Sequence, residues 1–440
     1  MCKERKDDVN MSEAEQLLGF LTKATSPFHG VEEMERQLKK GGFRPLTLGE
    51  EWELKPGGAY YFIQHGSSLI AFRIGEHWKK GKGFRIGAAH TDFPGFRIKP
   101  NPDMTEEGYG KVNVEVYGGV TLNTWMDRPL SAAGRVALKG KDAFHPMIKL
   151  VDFKRPIMTI PNLAIHLRKE LNKGVELNKQ TDMIPITGMV GENVKHYFIS
   201  YLAKELGVVE EDILDYELYV YCAEEGCTVG LEEEFISAPR LDNMTSVQAI
   251  LQGLLEAGEG DCIQVGAFFD HEEIGSKTKQ GAGSMLLSFV IEKIVEGLGG
   301  ARKDYIKLME ESILLSVDVG HGFHPSHGGK YDPMNKAVLN SGVTIKEAAA
   351  QSYATDCKGV AIILQLCKEN KIPFKKFVNR SDGTSGSTLG SIASSFLPMI
   401  TVEVGVPLLA MHSARELMGI KDQKSLTDLV RAFYTTPCHE

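Results

Sequence analysis

Four short apolar runs that stop on polar residues constrain this chain more than any other feature. Phe84-Arg-Ile-Gly-Ala-Ala-His90 is one; Ile263–Phe269 runs into Asp270-His-Glu-Glu273, Ile313–Val317 into Asp318, and Met399–Val404 precedes His412 by a short loop. Apolar runs of this length, without alternation, are the pattern of strands buried on both faces. Helical patterns separate them at 246–256, 285–298, 348–369 and 427–434. Strands alternating with helices predict an α/β fold, a mixed sheet sandwiched by helices. Such sheets bind ligands outside the carboxyl ends of their strands, so side chains far apart in sequence are expected to converge at one edge.

The stretch 101–236 has a different texture. It carries strand-like pieces at 112–117, 134–138, 157–165 and 217–222, many Gly and Pro, and a single helical pattern near 193–206. This predicts a β-rich domain at 101–236, inserted between two parts of one larger domain, 1–100 and 237–440. At roughly 150 residues per domain the length accommodates both. Near the start, Ser12-Glu13-Ala14-Glu15 fits a capping box and predicts an opening helix, and a second helix over 31–40 should stop at Gly41-Gly42.

Charge and cysteine usage exclude several classes of partner. Lys and Arg total 50 against 58 Asp and Glu, a formal net charge of −8, so no pull toward nucleic acid or an anionic membrane is expected. The charged stretch 1–10 does not read as a leader, and the least polar long stretch, 392–411, is interrupted by Pro398, Glu403 and Pro407. The 7 cysteines are scattered and odd in number, which favours free thiols in a reducing, cytoplasmic setting.

The run ends hold the chemistry. His90, Glu273, Asp318 and His412 follow strand-like runs, and Asp242 opens the helical pattern near 246, where it would also serve as an N-cap. Two imidazoles and three carboxylates, one of them shared, satisfy two divalent cations about 3.5–4 Å apart, an arrangement that clamps a hydrolytic water between two Lewis acids. A further group must take the proton of that water. Neighbouring side chains in Glu272-Glu273 point different ways, so one can bind metal while the other stays free as general base.

Whole phrases narrow the reading further. His90-Thr-Asp-Phe-Pro-Gly-Phe-Arg-Ile-Lys-Pro100, Ala238-Pro-Arg-Leu-Asp-Asn243, Asp270-His-Glu-Glu-Ile-Gly-Ser276, Asp318 with His321 and His324-Pro325, Gly386-Ser-Thr-Leu-Gly390 and Met411-His-Ser-Ala-Arg-Glu416 follow one another in order. From about residue 12 to its C-terminus the chain resembles the aspartyl aminopeptidase / vacuolar aminopeptidase I family of dinuclear zinc exopeptidases. The resemblance implies a zinc-exopeptidase-like catalytic domain with an inserted dimerisation domain, peptide substrates, and assembly into a tetrahedral homo-dodecamer. It implies two divalent ions per subunit, Zn first and Mn or Co as alternatives. His90 and Asp318 would hold one ion, Glu273 and His412 the other, and Asp242 would bridge them. Glu272 would be the general base, and Asp92 would orient the imidazole of His90. Lys346 and Tyr353 would reach the substrate, and His166, in Pro161-Asn-Leu-Ala-Ile-His166, would be lent to a neighbouring subunit's active site.

Departures from the family pattern bear on specificity. Family members usually read Asp-Ser-Pro-Cys-Leu where this chain has Asp92-Phe-Pro-Gly-Phe96, and Ser381-Asp-Gly-Thr-Ser385 and Glu403 also depart from the usual residues. An acidic substrate side chain needs a cation in its pocket, which Arg380 or Lys346 could supply; a neutral one such as Leu does not. The expected activity is release of single N-terminal residues, acidic or neutral. The alternatives are a deacylase or carboxypeptidase on the same scaffold, and a non-catalytic assembly protein.

Overall fold

Four parallel strands lie side by side at the centre of a nine-stranded mixed sheet, in the order Ile263–Phe269, Phe84–His90, Ile313–Val317 and Ile400–Gly405. They are the runs singled out above. The computed structural model describes residues 11–191, 194–258, 260–383 and 386–437. Because the four strands run the same way, their carboxyl ends share one edge. Ser68–Ile74 pairs antiparallel on one side and Val343–Lys346 on the other, with shorter strands beyond.

Both faces of the sheet are covered, as the apolar runs require. Along Phe84–His90, Ile86 and Ala88 join a core with Val290, Ile291 and Ile294 of the helix Leu286–Gly297, while Ala89 joins the opposite core with Val247 and Ile250 of Leu241–Glu256 and Leu426 of Ile420–Thr435. Side chains alternate along a strand, so one apolar run can feed two cores. The close packing leaves no room for a side chain at Gly405, where an added Cβ would lie 1.7 Å from the carbonyl oxygen of Asp318.

Strands between Gly95 and Cys222 form a separate antiparallel sheet in the order Met147–Asp152, Leu130–Leu138, Ile213–Cys222, Gly95–Glu106, Tyr109–Tyr117 and Ile186–Met189. It has its own core, including Phe96, Val114, Leu130, Val136, Leu218 and Val220, with Phe198 and Leu202 from the helix Tyr197–Leu206. A third, five-stranded sheet joins Phe235–Ala238, Glu416–Gly419, Pro407–Leu409 and Gly320–His321, with Cys227–Val229 at its edge. It ties together the segments flanking Asp242, Asp318 and His412.

Some local expectations are corrected. No strand covers 157–165: Met158 and Thr159 form only isolated bridges, and Leu163 and Ile165 are exposed. Apolar β-formers without an alternating partner strand do not suffice. The helix expected from 348 begins at Cys357, capped by Asp356, whose carboxylate accepts from the Gly359 N–H; Gln351 adopts φ 55°, which no α-helix admits. The second helix starts earlier than expected, at Pro27 behind the cap Ser26. The opening helix Glu13–Lys23 carries its Ser12/Glu15 capping box. Asn193, the expected start of the inserted segment's helix, lies outside the described residues, as do Cys2 and Cys438. Among the described residues no helix is long and apolar enough to cross a membrane.

Gly405→Ala is expected to force the strand bearing Asp318 away from its neighbour. The cost is on the order of 3 kcal/mol, the upper range for overpacking, seen as a lower thermal unfolding midpoint. A midpoint equal to that of the unmodified protein would mean that the two strands part freely.

Candidate metal centre

The shared edge gathers the polar residues that end the strands. His90 is buried, with Nε2 3.5 Å from Asp242 Oδ1 and 3.6 Å from Asp318 Oδ1. His412 Nε2 lies 3.2 Å from Asp242 Oδ2 and 3.5 Å from Glu273 Oε1. Asp242 therefore turns one carboxylate oxygen toward each imidazole. His90, Asp242 and Asp318 form one group whose potential ligand atoms all lie within 4.8 Å of one another, and Asp242, Glu273 and His412 form a second. His90, Glu272 and Glu273 make a third such group.

Two observations show that this donor set fits divalent cations. The Nδ1 atoms of His90 and His412 lie 2.9 Å from the carbonyl oxygens of Asp92 and Gly119. A carbonyl only accepts, so Nδ1 carries the proton and Nε2 turns a lone pair into the cluster. Asp242 Oδ1 is buried and has no hydrogen-bond partner, a cost that a cation removes. The mixed nitrogen and oxygen donors suit zinc, manganese or cobalt.

The electrostatics express the same demand for positive charge. Burial would lower both imidazoles, yet Asp242 and its neighbouring carboxylates hold His90 well above its ordinary range and His412 up to about 10. Burial, opposed by His90 and reinforced by Asp318, pushes the Glu272 carboxyl up to about 8. Burial beside Asp242 likewise pushes Glu273 well above the carboxylate range. Asp242, between the two imidazoles, falls below that range despite its burial.

Buried carboxylates outside the cluster fix its backbone. Asp92 Oδ1 accepts from the Glu272 N–H at 3.0 Å, and Oδ2 from the Glu273 N–H at 3.1 Å and the Tyr117 hydroxyl at 2.7 Å. Its carboxylate thus holds the Glu272–Glu273 turn, and its carbonyl holds His90. Glu416 plays the matching part opposite, accepting from the His412 N–H at 2.8 Å and the Asp242 N–H at 3.1 Å. The Asp242 carboxylate does not cap the helix: its two oxygens turn to His90 and His412, and among the described residues it accepts no backbone N–H. Sequence reasoning missed Tyr117, Gly119 and Glu416. Glu416 stood within the phrase 411–416 with His412, but nothing in the chain marked it as an acceptor for Asp242 as well.

The remaining candidates fall outside the cluster. Lys346 is buried, its ammonium 3.5 Å from both Asp318 Oδ2 and Glu403 Oε1, 3.1 Å from the Val319 carbonyl and 5.1 Å above the Tyr353 ring. It braces Asp318 and does not open to solvent. Tyr353 is also buried, its hydroxyl 3.3 Å from the Asn379 amide. Arg380 is exposed and paired with Asp382 at 2.6 Å, and it lines a cavity of about 260 Å³ with His321, His324, Lys330, Asp332 and Met411. His166 is exposed and takes no part in the cluster.

Comparison with known proteins agrees with this geometry. The family described as aminopeptidase I zinc metalloprotease (M18) matches residues 20–434. A "Probable M18 family aminopeptidase 2" of Clostridium novyi (strain NT) is 44% identical over 424 residues, covering 96% of this chain and 98% of its own. Among solved structures, the cryo-EM structure of the Ape4 and Nbr1 complex matches at 35% identity with a TM-score of 0.92, over 96% of this chain and 85% of that one. The S. cerevisiae mApe1 dodecamer matches at 27% identity with a TM-score of 0.83, over 96% of each chain.

Glu416→Ala leaves the buried N–H groups of Asp242 and His412 without an acceptor. Zinc affinity, read by competition with a chromogenic chelator, is expected to fall about 10- to 100-fold. Unchanged affinity would remove Glu416 from the support of the centre.

Proposed function

The chain belongs to the aminopeptidase I zinc metalloprotease family (M18) and is a zinc aminopeptidase, and from that premise we propose how its residues divide the reaction. The observation that carries the assignment is Asp242, buried with one oxygen toward His90 and the other toward His412. His90 and Asp318 would hold one divalent ion and Glu273 and His412 a second, with Asp242 shared between them, and zinc is the ion proposed for both. Bound there, the ions supply Lewis acidity to the scissile carbonyl and lower the pKa of the attacking water.

Glu272 is the general base. Its carboxylate lies in the group with His90 and Glu273 and takes no hydrogen bond or ion pair from the described residues, while its backbone is fixed by Asp92. It accepts the proton of the attacking water and returns it to the leaving amine. Asp92 and Glu416 hold the two halves of the site in register, and Lys346 orients Asp318. The free α-amine of the substrate is bound beside the carboxylates of the cluster, which limits cleavage to the first residue.

The side-chain pocket is the cavity beside Met411. Lys330, Arg380, His321 and His324 line it with Asp332; Asp382 pairs with Arg380, so Lys330 is the cation left to favour an acidic N-terminal residue over a neutral one. Residues 101–236 act as the dimerisation domain. The exposed Leu163, Ile165 and Leu167 beside His166 support burial of this segment by a neighbouring subunit, where His166 reaches that subunit's site. A homo-dodecamer like that of the yeast relative, in the cytoplasm, is the assembly this reading implies.

Glu272→Gln is expected to retain zinc and lose turnover by about 10²- to 10⁴-fold; near-normal kcat would take Glu272 out of the reaction. On aminoacyl fluorogenic substrates, the purified protein is expected to release Asp and Glu faster than Leu, to be silenced by a chelator, and to spare N-acetylated controls. Cleavage of the acetylated substrates alone would replace the aminopeptidase with a deacylase, and faster release of Leu would overturn the pocket assignment.

A further inference from the structure

We propose that Tyr117 is a positioning residue for the catalytic turn: its hydroxyl orients the Asp92 carboxylate, which in turn holds the backbone of Glu272 and Glu273. The inference rests on the reading of Glu272 as base and of Glu273 as a metal ligand. Tyr117 ends the strand Tyr109–Tyr117 of the antiparallel sheet, opposite Gly95, and is buried. Its hydroxyl donates to Asp92 Oδ2 over 2.7 Å, beside the Glu273 N–H bond to the same oxygen.

Asp92 is fully buried, so its charge is sustained by the donors it meets. Those donors are the Tyr117 hydroxyl and the two amides of the turn; His90 Nδ1 is closer to the Asp92 carbonyl, at 2.9 Å, than to its carboxylate, at 3.4 Å. Removing the phenol oxygen leaves Oδ2 with the Glu273 amide alone and frees the carboxylate to rotate, and the turn follows it. The ring is itself held edge-on against Tyr219, with centroids 5.4 Å apart.

The residues after Tyr117 grip the same centre. Gly118 lies against Glu273, where an added Cβ would meet the Glu273 Cβ at 3.1 Å. The Gly119 carbonyl accepts from His412 Nδ1, and the Thr121 N–H donates to the His412 carbonyl at 3.0 Å. One segment from the antiparallel sheet therefore touches both imidazole-bearing halves of the site, and Tyr117 is its link to the base.

The test uses Tyr117→Phe in the full-length protein, which keeps the ring and its packing, with Tyr219→Phe as the packing control. Zinc affinity is measured by chelator competition, and kcat and KM on the best aminoacyl substrate. Tyr117→Phe is expected to lower kcat about 10- to 100-fold with KM changed less than about twofold, and to weaken zinc binding several-fold. Tyr219→Phe should do neither. Combined with Asp92→Asn, Tyr117→Phe should add no further loss, because the two residues act in series. Wild-type kcat and zinc affinity in Tyr117→Phe would overturn the proposal, as would losses that multiply in the double variant or equal losses in Tyr219→Phe. If the unmodified protein releases no amino acid, the functional reading itself fails, while the zinc competition still judges Tyr117.

Discussion

Carboxylates that repel one another are held together at the end of a parallel sheet, and much of the surrounding structure exists to keep them there. Asp242, Glu272, Glu273 and Asp318 share one largely buried pocket with the imidazoles of His90 and His412. Burial and the neighbouring carboxylates raise Glu272, and against burial the carboxylates hold both histidines above their ordinary range. Bound divalent cations would relieve the same repulsion and convert it into affinity. The unpartnered Asp242 oxygen lies where that conversion matters most.

Holding such a cluster open requires rigid backbone, which the fold supplies at two levels. The parallel strands deliver His90, Asp270 and Asp318 to one edge, and the five-stranded sheet joins the segments before Asp242 and after His412. Finer control comes from buried carboxylates that bind no metal in this assignment. Asp92 and Glu416 each receive backbone N–H groups from two of the residues that matter, one on each side of the centre. Lys346 neutralises charge from the protein side, set between Asp318 and Glu403. A cation fixed there leaves the outer oxygen of Asp318 occupied and its inner oxygen turned toward His90.

What was legible in the sequence follows a physical division. The four central strands were readable because burial on both faces leaves an apolar run with a sharp polar end, and their convergence follows from the rule that parallel strands end together. Segments whose state depends on partners were not. Residues 157–165 look like a strand but meet no ladder, and the apolar stretch after 348 resembles helix until Gln351 turns the chain. Tyr117 and Glu416 were invisible for a related reason: the contacts that matter, to Asp92 and to Asp242, span 25 and 174 residues, with no local period to betray them. Lys346 was expected to face the substrate. Here its ammonium lies against Asp318 and Glu403, a contact that a strand position alone does not reveal.

The antiparallel sheet changes how the insertion should be understood. A domain added only for assembly would pack against the catalytic sheet at a distance from the chemistry. Here the connection after Tyr117 supplies the carbonyl that sets the His412 tautomer, the glycine packed on Glu273 and the hydroxyl on Asp92. None of these contacts could be kept if that sheet shifted by more than a fraction of an ångström, since hydrogen bonds of this kind weaken steeply with distance and angle. Movement of that sheet is therefore delivered to His412, Glu273 and Asp92 together. In this chain the antiparallel sheet and the carboxylate cluster form one mechanical element.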